Sequence, residues 1–116
     1  VSLKERYQVP ITLDKERNFF FPNAAYRYVG ERHGSMSQAL AKLTPSQGGS
    51  LDLTPDLLDA FRDLVFAGLM HEDPELKPED VEQWLGVFNM REVTGQIIKA
   101  VVGEQTKAVV NPSEQT

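Results

Sequence analysis

The residues with the most chemical reach lie in one short run, "HEDPELKPED", residues 71–80. His71, Glu72, Asp73 and Glu75 offer an imidazole and three carboxylates, the donor types of a metal shell or an acid–base pair. The spacing supplies neither. A calcium loop of the EF-hand type alternates oxygen donors, turns at a glycine and closes on a bidentate Glu. No glycine occurs here, and Pro74 and Pro78 fix the backbone differently. A zincin helix needs two histidines at i and i+4 with a Glu between them, yet the only other histidine is His33. A corner between two helices accounts for the same residues. His71 meets the negative end of a helix dipole, and Asp73 before Pro74 leaves the helical region. Pro78, Glu79 and Asp80 then suit the first turn of a following helix.

The remaining carboxylates show no paired geometry. Asp56, Asp59 and Asp63 recur at i, i+3 and i+7, the spacing of a solvated helix face. Glu31 and Asp52 qualify by type alone. "GERHG" has two glycines and a histidine but not a phosphate loop, and no nucleophile elbow is present. Without cysteine there is no thiolate nucleophile and no Cys-based zinc site. The expectation is a protein that is not an enzyme and carries no catalytic, cofactor or metal residues.

Twelve Lys and Arg against 17 Asp and Glu give a net charge of −5. Duplex binding needs a basic stripe to displace counterions, so nucleic acid is not an expected partner. Apolar runs fall far short of the ~20 residues that span a bilayer, so no membrane partner is expected either. The opening "VSLKERYQ" lacks the apolar core of a signal peptide, and the absence of a first Met fits processing or trimming. Cytoplasmic residence is the resulting expectation.

These residues must be positioned by a mainly α fold, a small domain of four to five helices with an N-terminal β-hairpin. Residues 1–102 read as that single domain, the hairpin covering about 8–22, and 103–116 as a flexible C-terminal tail. Val9, Ile11 and Leu13 alternate with polar positions, "DKERN" reads as a turn, and Phe19 to Phe21 follow. Asn23 is placed to cap a helix that Gly34 ends. Ser35 and Gln38 have capping-box spacing ahead of Met36, Ala39, Leu40 and Leu43. "TPSQGGS", residues 44–50, reads as a loop. Thr54, Pro55 and Asp56 open the strongest helix, with Leu57, Leu58, Phe61, Leu64, Val65 and Leu69 on one stripe. Past the corner, Val81, Trp84, Leu85 and Phe88 repeat at heptad-like spacing. Asn89 and Glu92 form a cap pair for a last helix that turns Met90, Val93, Ile97 and Val101 inward.

Some apolar residues fall off these stripes. Phe66 and Met70 lie four apart beside Asp59 and Asp63, and Ile98 and Val102 repeat the pattern on the last helix. Either the hairpin or a neighbouring helix covers them, or they meet a partner. With Tyr26 and Tyr28 in support, these are the candidate partner-binding residues.

Several stretches together resemble the tail assembly chaperones of long-tailed (siphovirus-type) phages and prophages. "VPITLDKERNFFFPNAAYRYVGERHG" is similar to that family's opening, an "I-x-L-x-x-x-R" hairpin before an Asn-Ala helix that ends in a glycine. "LLDAFRDLVFAGLMHEDPELKPEDVEQWL" resembles its central block, and "MREVTGQIIKAVV" its last helix. The likeness runs over residues 8 to 102. "YRYVGERHG" departs from it with aromatics and Gly30, and "TPSQGGSLDL" is longer. The resemblance implies a protein that binds the tape measure protein in the bacterial host cytoplasm, keeps it soluble and recruits tail tube protein. Such chaperones are absent from the finished virion. It also implies a possible frameshifted longer form of the same protein as a partner, and self-association into a homo-oligomer is open. The rival expectation is a small structural adaptor or head–tail connector subunit.

Overall fold

The computed structural model describes residues 7–44 and 52–114, with side chains as far as Val101. It is mainly helical, and an antiparallel two-stranded hairpin precedes the helices. Strands β1 (Val9–Thr12) and β2 (Glu16–Phe19) pair Val9 with Phe19 and Thr12 with Glu16. Among the described residues five helices follow. They are α1 (Asn23–His33), α2 (Met36–Lys42), α3 (Pro55–Leu69), α4 (Pro78–Glu82) and α5 (Val87–Glu114).

The hairpin turn is tighter than the run "DKERN" suggests. It occupies residues 13–15, the Leu13 N–H donating to the Lys15 carbonyl, so Glu16, Arg17 and Asn18 belong to β2. Arg17 makes this possible. Its guanidinium donates Nε and Nη2 to the two carboxylate oxygens of Asp14 at 2.7 and 3.0 Å, and it lies 4.5 Å over the Trp84 ring. A bidentate pair of this kind fixes geometry as well as charge.

α1 starts after Pro22 with Asn23 already helical, and no side chain caps it, so the expected Asn23 cap is not formed. Its end follows the expectation. Gly34 sits at φ 93°, a conformation that only glycine adopts without steric cost, and its N–H returns to the Gly30 carbonyl. Ser35 then caps α2 by accepting from Gln38 N–H, and Thr54 caps α3 by accepting from Leu57 N–H. Each such cap stabilises its helix by about 1 kcal/mol.

The core lies where α3 meets the other helices and β2. Phe61, Leu64, Val65 and Leu69 are buried on α3, with Val29 from α1, Val81 from α4 and Val93 and Ile97 from α5. Burying each of these side chains contributes roughly 1.5–3 kcal/mol. The hairpin closes the C-terminal half of α3. Gly68 makes that seam possible, because a Cβ there would stand 2.7 Å from the rings of Phe19 and Phe21. The Phe20 N–H reaches the Gly68 carbonyl at 3.0 Å.

Three readings along α3 to α5 are corrected. Leu58, placed on the inward stripe by its spacing, is 41% exposed, because among the described residues that flank of α3's first two turns faces an open groove. Phe88, placed in register with Val81 and Leu85, is 84% exposed. The helix that would have carried it inward stops at Glu82, and α5 restarts at Val87 with a new phase. Asn89 is not an N-cap. It sits in the first turn of α5, accepts from Gly86 N–H at 3.0 Å and donates to the Trp84 carbonyl at 2.9 Å. That is the return half of a capping box, with Gly86 in the cap position. Beyond Gly103 the backbone stays helical to Glu114, where lost periodicity suggests a tail. Most residues of "EQTKAVV" tolerate or favour a helix, so the path can continue after the amphipathic signal has faded.

Candidate partner-binding surface

The acidic corner is held by structure-forming contacts. His71 bonds through Nε2 to the Asn18 carbonyl at 2.8 Å, and its ring edge meets Phe20 at 5.5 Å between centroids. Asp73 Oδ1 accepts from Glu75 N–H, and Asp80 Oδ2 accepts from Lys77 N–H. His71 thus joins the end of α3 to β2. Among the described residues, no three histidine or carboxylate side chains converge as a metal shell would.

The other histidine is in a more charged setting. Asp63, read from its spacing as part of a solvated face, is 2% exposed. Its Oδ2 meets His33 Nε2 at 2.8 Å and its Oδ1 accepts from Arg62 Nε at 3.0 Å. Lys42 Nζ lies 3.1 Å from His33 Nδ1 and donates to Asp56 Oδ1 at 3.0 Å. An ammonium has no acceptor, so Nδ1 accepts from Lys42 and Nε2 carries the proton given to Asp63. His33 thereby ties α1, α2 and α3 together. Spacing could not reveal this, because the partners come from three separate helices.

The candidate partner residues are only partly open. Tyr28 and Phe66 are brought together, their ring centroids 5.2 Å apart, with the Arg32 guanidinium carbon 4.2 Å from the centroid of the Tyr28 ring. Burial, and then the charge of Asp63, raises the Tyr28 hydroxyl above its ordinary value of 10.0. Tyr26, Tyr28, Phe66 and Met70 are half-buried against the core, and Ile98 is half-buried on α5. The side chain of Val102 lies outside the described residues.

More apolar surface is open elsewhere. Val87 is 70% exposed, Phe88 84%, Leu53 45% and Leu58 41%. Most of them gather where α3's first turns face the α4–α5 corner. There a groove of about 320 Å³ is lined by Leu53, Leu58, Phe61, Leu85, Val87 and Met90. Arg62 and Glu82 stand at its edge, 3.7 Å apart. Single exposed apolar residues are ordinary, but a contiguous group around a groove marks an interaction site. The sequence held one sign of it, the Gly86 break before Val87 and Phe88, which ends the stripe that would bury them.

Comparisons of the chain with protein-family models, with characterised proteins and with solved structures gave no match.

Proposed function

We propose that this chain is a phage tail assembly chaperone, which binds the tape measure protein in the bacterial cytoplasm, keeps it soluble and helps recruit tail tube subunits around it. The resemblance of residues 8 to 102 to that family motivates the reading. The observation that carries it physically is the open apolar face around Leu58, Leu85, Val87 and Phe88 on an acidic helical domain. A chaperone for a long helical client needs such a face, with modest affinity per copy. Many weak contacts along one filament gain strength through effective concentration. The net charge of −5 favours solubility of the free protein.

Co-expression with the tape measure protein of the same genome tests the reading. The client becomes soluble and co-purifies, and mass spectrometry of purified virions finds the client but not this chain. A client that stays insoluble overturns the proposal. So does stoichiometric recovery of this chain in virions, which is the signature of a head–tail connector subunit.

A further inference from the structure

We propose that the groove between α3 and the α4–α5 corner seats one amphipathic helix whose apolar stripe is flanked by lysine or arginine. The identification of that helix as part of the client rests on the chaperone reading, while the chemistry of the seat does not.

The walls of the groove decide the form of the occupant. They are α3, α4 and the start of α5, and among the described residues no strand edge borders them. The hairpin meets α3 at Gly68, about 15 Å along the helix from Leu58. A partner therefore finds no ladder of free backbone groups to extend, and it must anchor by side chains. Apolar residues at i, i+3 and i+4 on a helix suit a groove bounded by helices.

The charge decides the rest. Among the described residues Arg62 is the one cation lining the groove, and three carboxylates share it. Asp63 lies at 3.0 Å, Asp59 at 3.5 Å and Glu82 at 3.7 Å. The rim thus holds a surplus of negative charge, and it is accessible, since the Asp59 and Glu82 side chains are 52% and 56% exposed. Glu79, one turn before Glu82 on α4, is exposed as well. A lysine or arginine beside the apolar stripe of a partner gains partners at this rim, whereas an acidic helix is repelled.

The test uses the full chain and two designed helical peptides of about 18 residues, long enough to form in isolation. One places leucine on one face and lysine on the flanks, and the other replaces lysine with glutamate. Calorimetry is expected to show binding of the leucine–lysine peptide that weakens with added salt, and binding of the leucine–glutamate peptide weaker by about tenfold or more. Leu58→Asp is expected to reduce binding of the first peptide by about tenfold or more, and Glu82→Lys by several-fold. Equal binding of both peptides overturns the inference. So does undiminished binding to Leu58→Asp, because Leu58→Asp adds negative charge and would spare a purely electrostatic attraction. A concentration-dependent dimer that Leu58→Asp dissolves also overturns it, assigning the groove to a second copy. The same variant separates the two proposals. If Leu58→Asp still solubilises the tape measure protein, the chaperone reading stands and the seat is lost. If the leucine–lysine peptide binds at the groove but the client is never solubilised, the seat stands and the chaperone reading falls.

Discussion

The two ends of α3 both carry large apolar residues, and some of them meet opposite fates. At its C-terminal end Gly68 lets Phe19 and Phe21 close against the helix, and both rings are buried. At its N-terminal end Leu58 faces an open groove, with Val87 and Phe88 beyond it in solvent. Hydrophobicity alone does not set the difference. One end has a tethered hairpin whose register brings aromatic side chains onto a gap of matching shape. The other faces a helix break at residues 83–86, which turns the next apolar residues outward. An apolar stripe becomes core only where the chain supplies something to cover it.

The contrast breaks most directly at the covered end. Phe19→Ala removes a fully buried ring from the seam and is expected to cost about 3–5 kcal/mol, read from urea unfolding followed by circular dichroism. A loss below about 1 kcal/mol would mean that the hairpin is an ornament and not part of the core. Next is Asp63→Ala, which strips the buried acceptor from both His33 and Arg62. A cost of about 1–3 kcal/mol is expected, since the buried His33 ring N–H is left without its acceptor while Arg62 keeps Asp59 and Glu82. A thermal melt unchanged by this substitution would show the network to be dispensable.

A smaller effect comes from the hairpin's own clamp. The hydrogen bond from Arg17 holds the Asp14 carboxyl below its ordinary value of 3.8. A group whose folded value is depressed contributes stability above its unfolded value and loses it as pH falls through the folded one. Wild-type protein and Asp14→Asn should therefore differ most at neutral pH and converge as the pH drops below about 4. A gap that stays constant down to pH 2 would remove Arg17 as the cause. The least effect belongs to the open end. Phe88→Ser is expected to shift stability by no more than about 0.5 kcal/mol, since its ring is 84% exposed. A large loss would show that Phe88 is covered in solution, and by what could then be sought in the oligomeric state.

Much of the fold was legible in local chemistry. Gly34 after α1, Ser35 before α2 and Thr54-Pro55 before α3 each act within a few residues of their position, and each is found in its expected role. The stripe of Met90, Val93, Ile97 and Val101 is buried as its period requires. The candidate surface was less legible. Phe66 lies off its helix's stripe and Tyr28 supports it as a partner candidate, yet the two cover one another, because α1 packs on α3 at that point. Phe88 was read as core because its spacing continued that of Val81 and Leu85. Spacing has no knowledge of the break at Gly86.

The sequence by itself determined the hairpin, the helices, their caps and most of their inward faces, since these follow from propensities and periodicities that act over one or two turns. Tertiary structure decided which apolar residues found a cover and which carboxylate was buried. Asp63 looks like Asp56 and Asp59 along the chain, and it differs only because His33 arrives from α1. Burial is a property of what lies across the gap, and that neighbour comes from a distant part of the chain.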